Sequence, residues 1–193
     1  MKKLKWIPVA LLLALVFCLP CLAEGTEAPL AVDTVALKER GECFTGLLPG
    51  ATYEEALAAG LRLPEEPYVN EKVDGIESKI YMLDREQQVV FGELAVKSAW
   101  FQFMNGRLVD VSLILEEEIP QEEIVALMTG LFGEPTAESA INEQTGLGGV
   151  RWTLETAGEL TTVHAVLARR ESGVLCHGIG VTYWELVHEA RGK

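Results

Sequence analysis

The segment "FQFMNGRLVDVSLIL", residues 101–115, decides how this chain is to be read. Asn105-Gly106 is a strong signal for a two-residue β-hairpin turn, and apolar residues alternate on both sides of it. A regular hairpin sets Phe103 against Leu108 and Trp100 against Val111. One face then holds Val96, Ser98, Trp100, Val109, Val111, Leu113 and Leu115, and is the expected core side. The other holds Lys97, Ala99, Phe101, Phe103, Leu108, Asp110, Ser112 and Ile114. Two phenylalanines therefore fall on the side away from the core. The assignment rests on register, because a one-residue slip exchanges the faces.

A second hairpin is expected over 160–170 and 174–185, with Gly173 as the left-handed residue of a three-residue loop. It pairs Leu167 with His177 and Val163 with Val181, and sets His164 opposite Gly180. Its core face carries Val163, Ala165, Leu167, Leu175, Ile179, Val181 and Tyr183. Its other face carries Thr162, His164, Val166, Ala168, Cys176, Gly178, Gly180, Thr182 and Trp184. On this register His177 is a satisfied core histidine, and His188 lies in the tail.

Each hairpin follows a helix. "EEALAAGLRLPEEP" (54–67) and "EEIVALMTGLFGEP" (122–135) are identical at six of fourteen positions at an offset of 68 residues. Thr52 with Glu55 forms a capping box; Pro120 stands at a first helical position with Glu122 and Glu123 in the first turn. Ile124, Leu127, Met128 and Leu131 make an apolar stripe, and Gly133 with Pro135 ends it. Further strands are expected near 76–83, 87–92 and 149–156. The pattern predicts an α+β fold of two tandem repeats, 44–118 and 119–187, with the helices on one face of a shared antiparallel sheet. Residues 24–43 form an N-terminal segment and 188–193 a tail.

The first residues, "MKKLKWIPVALLLALVFCLPCLAEG", have the basic, apolar and small-residue regions of a secretory signal, 1–23, cleaved after Ala23. An uncleaved anchor is the competing reading. Phe17 and Pro20 precede Cys18 and Cys21 where a lipobox needs a small residue, which favours a secreted or extracytoplasmic soluble product over a lipoprotein. The whole chain has 16 Lys+Arg, 29 Asp+Glu and a net charge of −13; cleavage removes Lys2, Lys3 and Lys5 and leaves −16. That charge repels nucleic acid and anionic lipid. Cys43 and Cys176 remain after cleavage, either as a disulfide in an oxidising compartment or as two buried thiols.

No G-x-S-x-G and no His pair at metal-ligand spacing occurs in the sequence. "EEEIPQEE" (116–123) reads as a solvated helix start rather than a metal site, and "TGLGGVRW" (145–152) as a loop before a strand. The expectation is a protein without enzymatic activity, cofactor or metal. Its candidate binding surface is the sheet face away from the core, with Phe101, Phe103, Leu108, His164 and Trp184. The competing reading covers these aromatics with another segment as a second small core.

A helix ending in "LFGEP" (131–135), the Trp-bearing "GVRWTLE" (149–155) and the "F-x-F-x-N-G-R-L" hairpin (101–108) resemble the helix-plus-antiparallel-sheet repeats of bacterial cell envelopes, those of the β-lactamase inhibitory protein and the SmpA/OmlA type of small assembly lipoprotein. The resemblance spans about 44–186. It implies a non-catalytic protein that binds another protein or peptide on its open sheet face. The chain departs from it in lacking a lipobox and disulfides within each repeat. The leading expectation is thus an exported binding module. A cell-envelope assembly or structural factor is the alternative, and a small hydrolase using His164 the less favoured one.

Overall fold

At the 101–115 turn, Asn105 and Gly106 adopt φ of 47° and 80°, the paired left-handed geometry of a type I′ turn. The computed structural model describes residues 28–156 and 159–192; the expected signal segment 1–23 lies outside them. The turn joins β5 (Leu94–Met104) to β6 (Arg107–Pro120). It is also tied to the neighbouring β3 (Ile76–Met82), because Glu77 N–H donates to Asn105 Oδ1 at 3.0 Å and Asn105 N–H donates to the Glu77 carbonyl at 2.8 Å.

The chain is α+β with an open, mostly antiparallel sheet. The other strands are β1 (Leu30–Ala31), β2 (Val69–Val73), β4 (Val89–Phe91), β7 (Ala137–Ser139), β8 (Leu147–Thr156), β9 (Glu159–Arg170) and β10 (Gly173–Tyr183). The order is β1-β4-β5-β6-β10-β9-β8-β7, with β3 pairing the second half of β5 and β2 pairing β3. Among the described residues only β1 and β4 run parallel. The helices are α1 (Thr34–Arg40), α2 (Tyr53–Ala58), α3 (Gln121–Phe132) and α4 (Trp184–Ala190).

The helix ends follow their caps. Thr52 and Glu55 make the reciprocal capping box of α2. Pro120 is the cap residue of α3, one position earlier than expected, and Gly133 ends that helix. Trp152 Nε1 donates to the Gly133 carbonyl at 2.9 Å, which anchors the end of α3 to β8. Two helices fall in segments expected to have none. Asp33 caps α1 by accepting from Ala36 N–H at 2.8 Å, and α4 follows β10 directly.

The first hairpin corrects the expected faces. Phe103 does oppose Leu108, but Gln102 opposes Asp110 and Phe101 opposes Val111, leaving Val109 as an unpaired extra residue. Such a bulge shifts every later pair by one. Phe101, Phe103 and Leu108 are consequently buried in the core, and Trp100 turns to the opposite face, half-buried. A further bulge at Lys97 returns Val96 to the core side while Ser98 faces away. Phe101 packs beside Phe44, and Phe103 sits edge-on to Tyr53 and Tyr81. Burying each phenylalanine contributes about 1.5–3 kcal/mol.

The second hairpin has its own extra residue. Gly173 pairs with Arg170 across a two-residue turn rather than a three-residue one, and Cys176 rather than His177 opposes Leu167. His177 is the bulge: it is half-buried, and its Nδ1 is buried without a hydrogen-bond partner among the described residues, contrary to the expected satisfied core histidine. Beyond it Val163 faces Val181, and the core row Phe101, Val111, Val181, Val163, Trp152 crosses β5, β6, β10, β9 and β8. Ile124, Met128 and Phe132 of α3, with Leu37, Ala56, Leu186 and Val187, close on the same cluster. Cys176 moves to this buried side in place of half-buried Leu175.

Candidate functional site

Burial of Phe101 and Trp152 sends their neighbours to the other face, where the pairing lines up two rows. One runs Trp100, Ser112, Gly180, His164, Arg151 from β5 to β8. The other runs Gln102, Asp110, Thr182, Thr162, Thr153. Adjacent strands lie about 4.8 Å apart, so Trp100 and His164 stand roughly 14 Å apart along the row. At the β5 end, exposed Tyr68 meets Trp100 edge-on, with ring centroids 5.1 Å apart. Gln102 Nε2 donates to Ser78 Oγ at 2.9 Å.

The centre is polar and tightly organised. Ser112 Oγ donates to Asp110 Oδ2 at 2.9 Å, and Thr182 Oγ1 donates to Oδ1 at 2.7 Å. Burial pushes the Asp110 carboxyl above its ordinary pKa; the two hydroxyls and the charge of His164 oppose that shift. Burial holds His164 below its ordinary value; Asp110 draws it back up and Arg151 pushes it further down. The imidazole lies over Gly180, where any Cβ would overlap it. Glycine is what admits the ring at that place.

At the β8 end, a cleft of about 340 Å³ is lined by Gly148, Gly149, Arg151, Thr162, His164, Thr182 and Trp184, together with Ser139, Leu147 and Val150. Trp184 reaches it from the start of α4 rather than from the final strand, as had been expected. A larger hollow, about 650 Å³, lies by the β2–β3 turn and the end of α4, and reaches the rows at Ser78, the partner of Gln102. Among the described residues no three His, Cys, Asp or Glu side chains converge as a metal site would, and no helix is long and apolar enough to cross a membrane.

Of the five residues expected on this face, the structure brings His164 and Trp184 together and places Phe101, Phe103 and Leu108 in the core. Cys43 and Cys176 are both buried and not bonded, which corrects the possible disulfide. Burial raises both thiols, Cys176 to about 11. Trp100, Gln102, Tyr68 and Arg151 join the face unanticipated. The sequence did carry a signal for Arg151: Val150, Trp152 and Leu154 alternate with it, and strand period two sends it to the opposite side. Comparison with protein-family models, with curated proteins and with solved structures finds no match to this chain.

Proposed function

We propose that this chain is an exported, non-catalytic binding module whose partner, a protein or peptide, docks on the sheet face turned away from the core. The supporting observation is the row from Trp100 to Arg151, where half-buried Trp100, Ser112 and His164 and exposed Arg151 share one face across β5, β6, β10, β9 and β8. Aromatic anchors with polar neighbours are what recognition surfaces use. Ser112 directs its hydroxyl at Asp110, so it is not poised as a nucleophile on His164.

The proposal extends to a tandem origin, with 44–118 and 119–187 as two α+β units whose helices share one side. The bulges at Val109 and His177 fall 68 residues apart, the offset that also aligns "EEALAAGLRLPEEP" with "EEIVALMTGLFGEP". Ser112 and Gly180 share that offset and pair directly with one another, as two equivalent residues do across a pseudo-twofold axis. Trp100 opposite Ser112 then corresponds to His164 opposite Gly180.

The test is capture from native secreted material on immobilised protein, with bound species identified by mass spectrometry. Trp100→Ala and His164→Ala should each weaken capture of the same species by about fivefold or more, on hot-spot precedent. Leu57→Ala, an exposed change on α2, should leave it unaltered. Equal capture by all variants overturns the reading, and so does an ester- or peptide-hydrolysing activity abolished by His164→Ala.

A further inference from the structure

The cleft beside His164 is unlike the rest of the molecule in charge. The chain carries 29 Asp+Glu against 16 Lys+Arg, yet among the described residues no acidic side chain lines the cleft, and Arg151 and His164 do. Arg40 holds Glu42, Arg107 holds Glu189 and Arg170 holds Glu118. The Arg151 guanidinium has no hydrogen bond or ion pair among the described residues, so its planar fork is free. An exposed arginine alone would be a solvated charge. Here its register partner across the β8–β9 ladder is His164, and both side chains border one hollow.

The surroundings select the shape of a ligand. Gly148 and Gly149 leave their stretch of β8 without side chains; a Cβ on Gly149 would stand 2.9 Å from the Ala165 carbonyl oxygen. Thr162 and Thr182 bring hydroxyl groups, and Trp184 an indole wall. Asp110, the carboxylate that interacts with His164, already accepts from Ser112 and Thr182. The volume of about 340 Å³ lies at the small end of the range for organic ligands. The net negative charge of the chain is screened beyond roughly 8 Å at physiological ionic strength, so the local cation governs the cleft.

We propose that this cleft binds a carboxylate-bearing organic ligand, the carboxylate paired with Arg151 and reached by His164, and the body of the ligand laid against Trp184. The inference rests on the binding-module reading and names the chemistry that one end of the face recognises. Guanidinium and carboxylate match as two parallel hydrogen bonds. One arginine beside an imidazole balances one negative charge, whereas a phosphate dianion would call for more cations. The charged groups facing His164 are Asp110 from β6 and Arg151 from β8. A ligand carboxylate adds a negative charge, stabilises imidazolium and strengthens binding as pH falls.

Two sources share this chemistry, a free small acid and the C-terminus of a peptide. Calorimetric titration of the full chain with phenylacetate, N-acetyl-glycyl-glycine, the amide of that dipeptide and inorganic phosphate separates them. The expected result is saturable binding of at least one of the two acids, tighter at pH 6 than at pH 8, with the amide and phosphate inert. Arg151→Gln should weaken it about tenfold or more, equivalent to about 1.4 kcal/mol. Arg151→Lys should recover only part, since the fork is lost. Arg151 is exposed, so an unchanged thermal melt verifies that the variants fold. Preference for phenylacetate assigns a free acid, and preference for the dipeptide a chain terminus. Equal binding of acid and amide, indifference to Arg151→Gln, or no binding of either acid at millimolar concentration overturns the proposal. Capture of a partner that depends on Trp100 would in that case leave the module reading standing.

Discussion

The imidazole of His164 lies across the backbone of Gly180, in the space where the Cβ of any other residue would stand. Strand β10 thus gives up a side chain so that a ring from β9 can lean toward β6. Gly180→Ala should cost about 1–3 kcal/mol as an overpacked contact. In a His164→Ala background most of that cost should vanish, giving a coupling of about 0.5–3 kcal/mol in a double-mutant cycle by urea unfolding. Additive effects would mean that the ring does not rest there.

Phe101→Ala and Phe103→Ala should each destabilise by about 3–5 kcal/mol, because both rings are buried among aromatic neighbours. Trp100→Ala should cost only about 0.5–1.5 kcal/mol, the worth of an aromatic pair such as the one it makes with Tyr68. Denaturant midpoints of the three variants decide the matter; the reverse order would exchange the two faces of the sheet.

Acid should weaken the fold through His164. Its folded pKa is depressed by burial, so its contribution is intact above its ordinary value of 6.5 and is lost as pH falls through the folded value. Asp110 acts the other way: its pKa is raised by burial, so its contribution is complete below 3.8 and is lost as pH rises through the folded value. On acidification below 6.5, urea midpoints of wild type should therefore fall relative to those of His164→Gln, which isolates the His164 contribution from that of Asp110. Asp110→Asn should depress the His164 titration further in NMR, since the carboxylate is the charge that draws it upward. A rise in that variant would refute the arrangement.

Neither thiol should react in the folded protein. Cys43 and Cys176 are buried, and burial raises both. With Cys176 near 11, about one thiol in a thousand is ionised at pH 8. A thiol reagent should label both residues only on unfolding, and mass spectrometry of non-reduced protein should find two free cysteines. Rapid labelling under native conditions, or a linked pair, would contradict the buried placement.

The legible parts of the fold were those fixed by local chemistry. Asn105-Gly106 made its turn, Thr52 with Glu55 began α2, and Gly133 ended α3, since each needs only residues near in sequence. The pairing of Val163 with Val181, and of His164 with Gly180, was legible too. The face of Phe101 was not, because period-two counting holds only until a bulge, and Val109 is as apolar as the core residues around it. Helix α1 was missed although Asp33 and Gly41 cap it, and the turn Asp74-Gly75 that joins β2 to β3 went unread. Trp184 continued the alternation of β10 on paper, but the chain turns into α4 there without a capping side chain. The partners of Asp110 depend on β6 lying beside β10, a long-range pairing that no local pattern announces.

Val109 has a consequence for heredity. Being unpaired, it lies between two ladder steps that would join regularly without it: Phe103 with Leu108, then Gln102 with Asp110. Loss of that one codon would shorten β6 yet leave Phe101 facing inward and Trp100 outward, at the expense of a bend and one buried valine. A codon lost among the paired residues Val111 to Ile114 would instead set β6 out of step with β5 and β10 together. Length variation among descendants of this chain should therefore collect at Lys97, Val109 and His177, where the strands already carry a residue to spare.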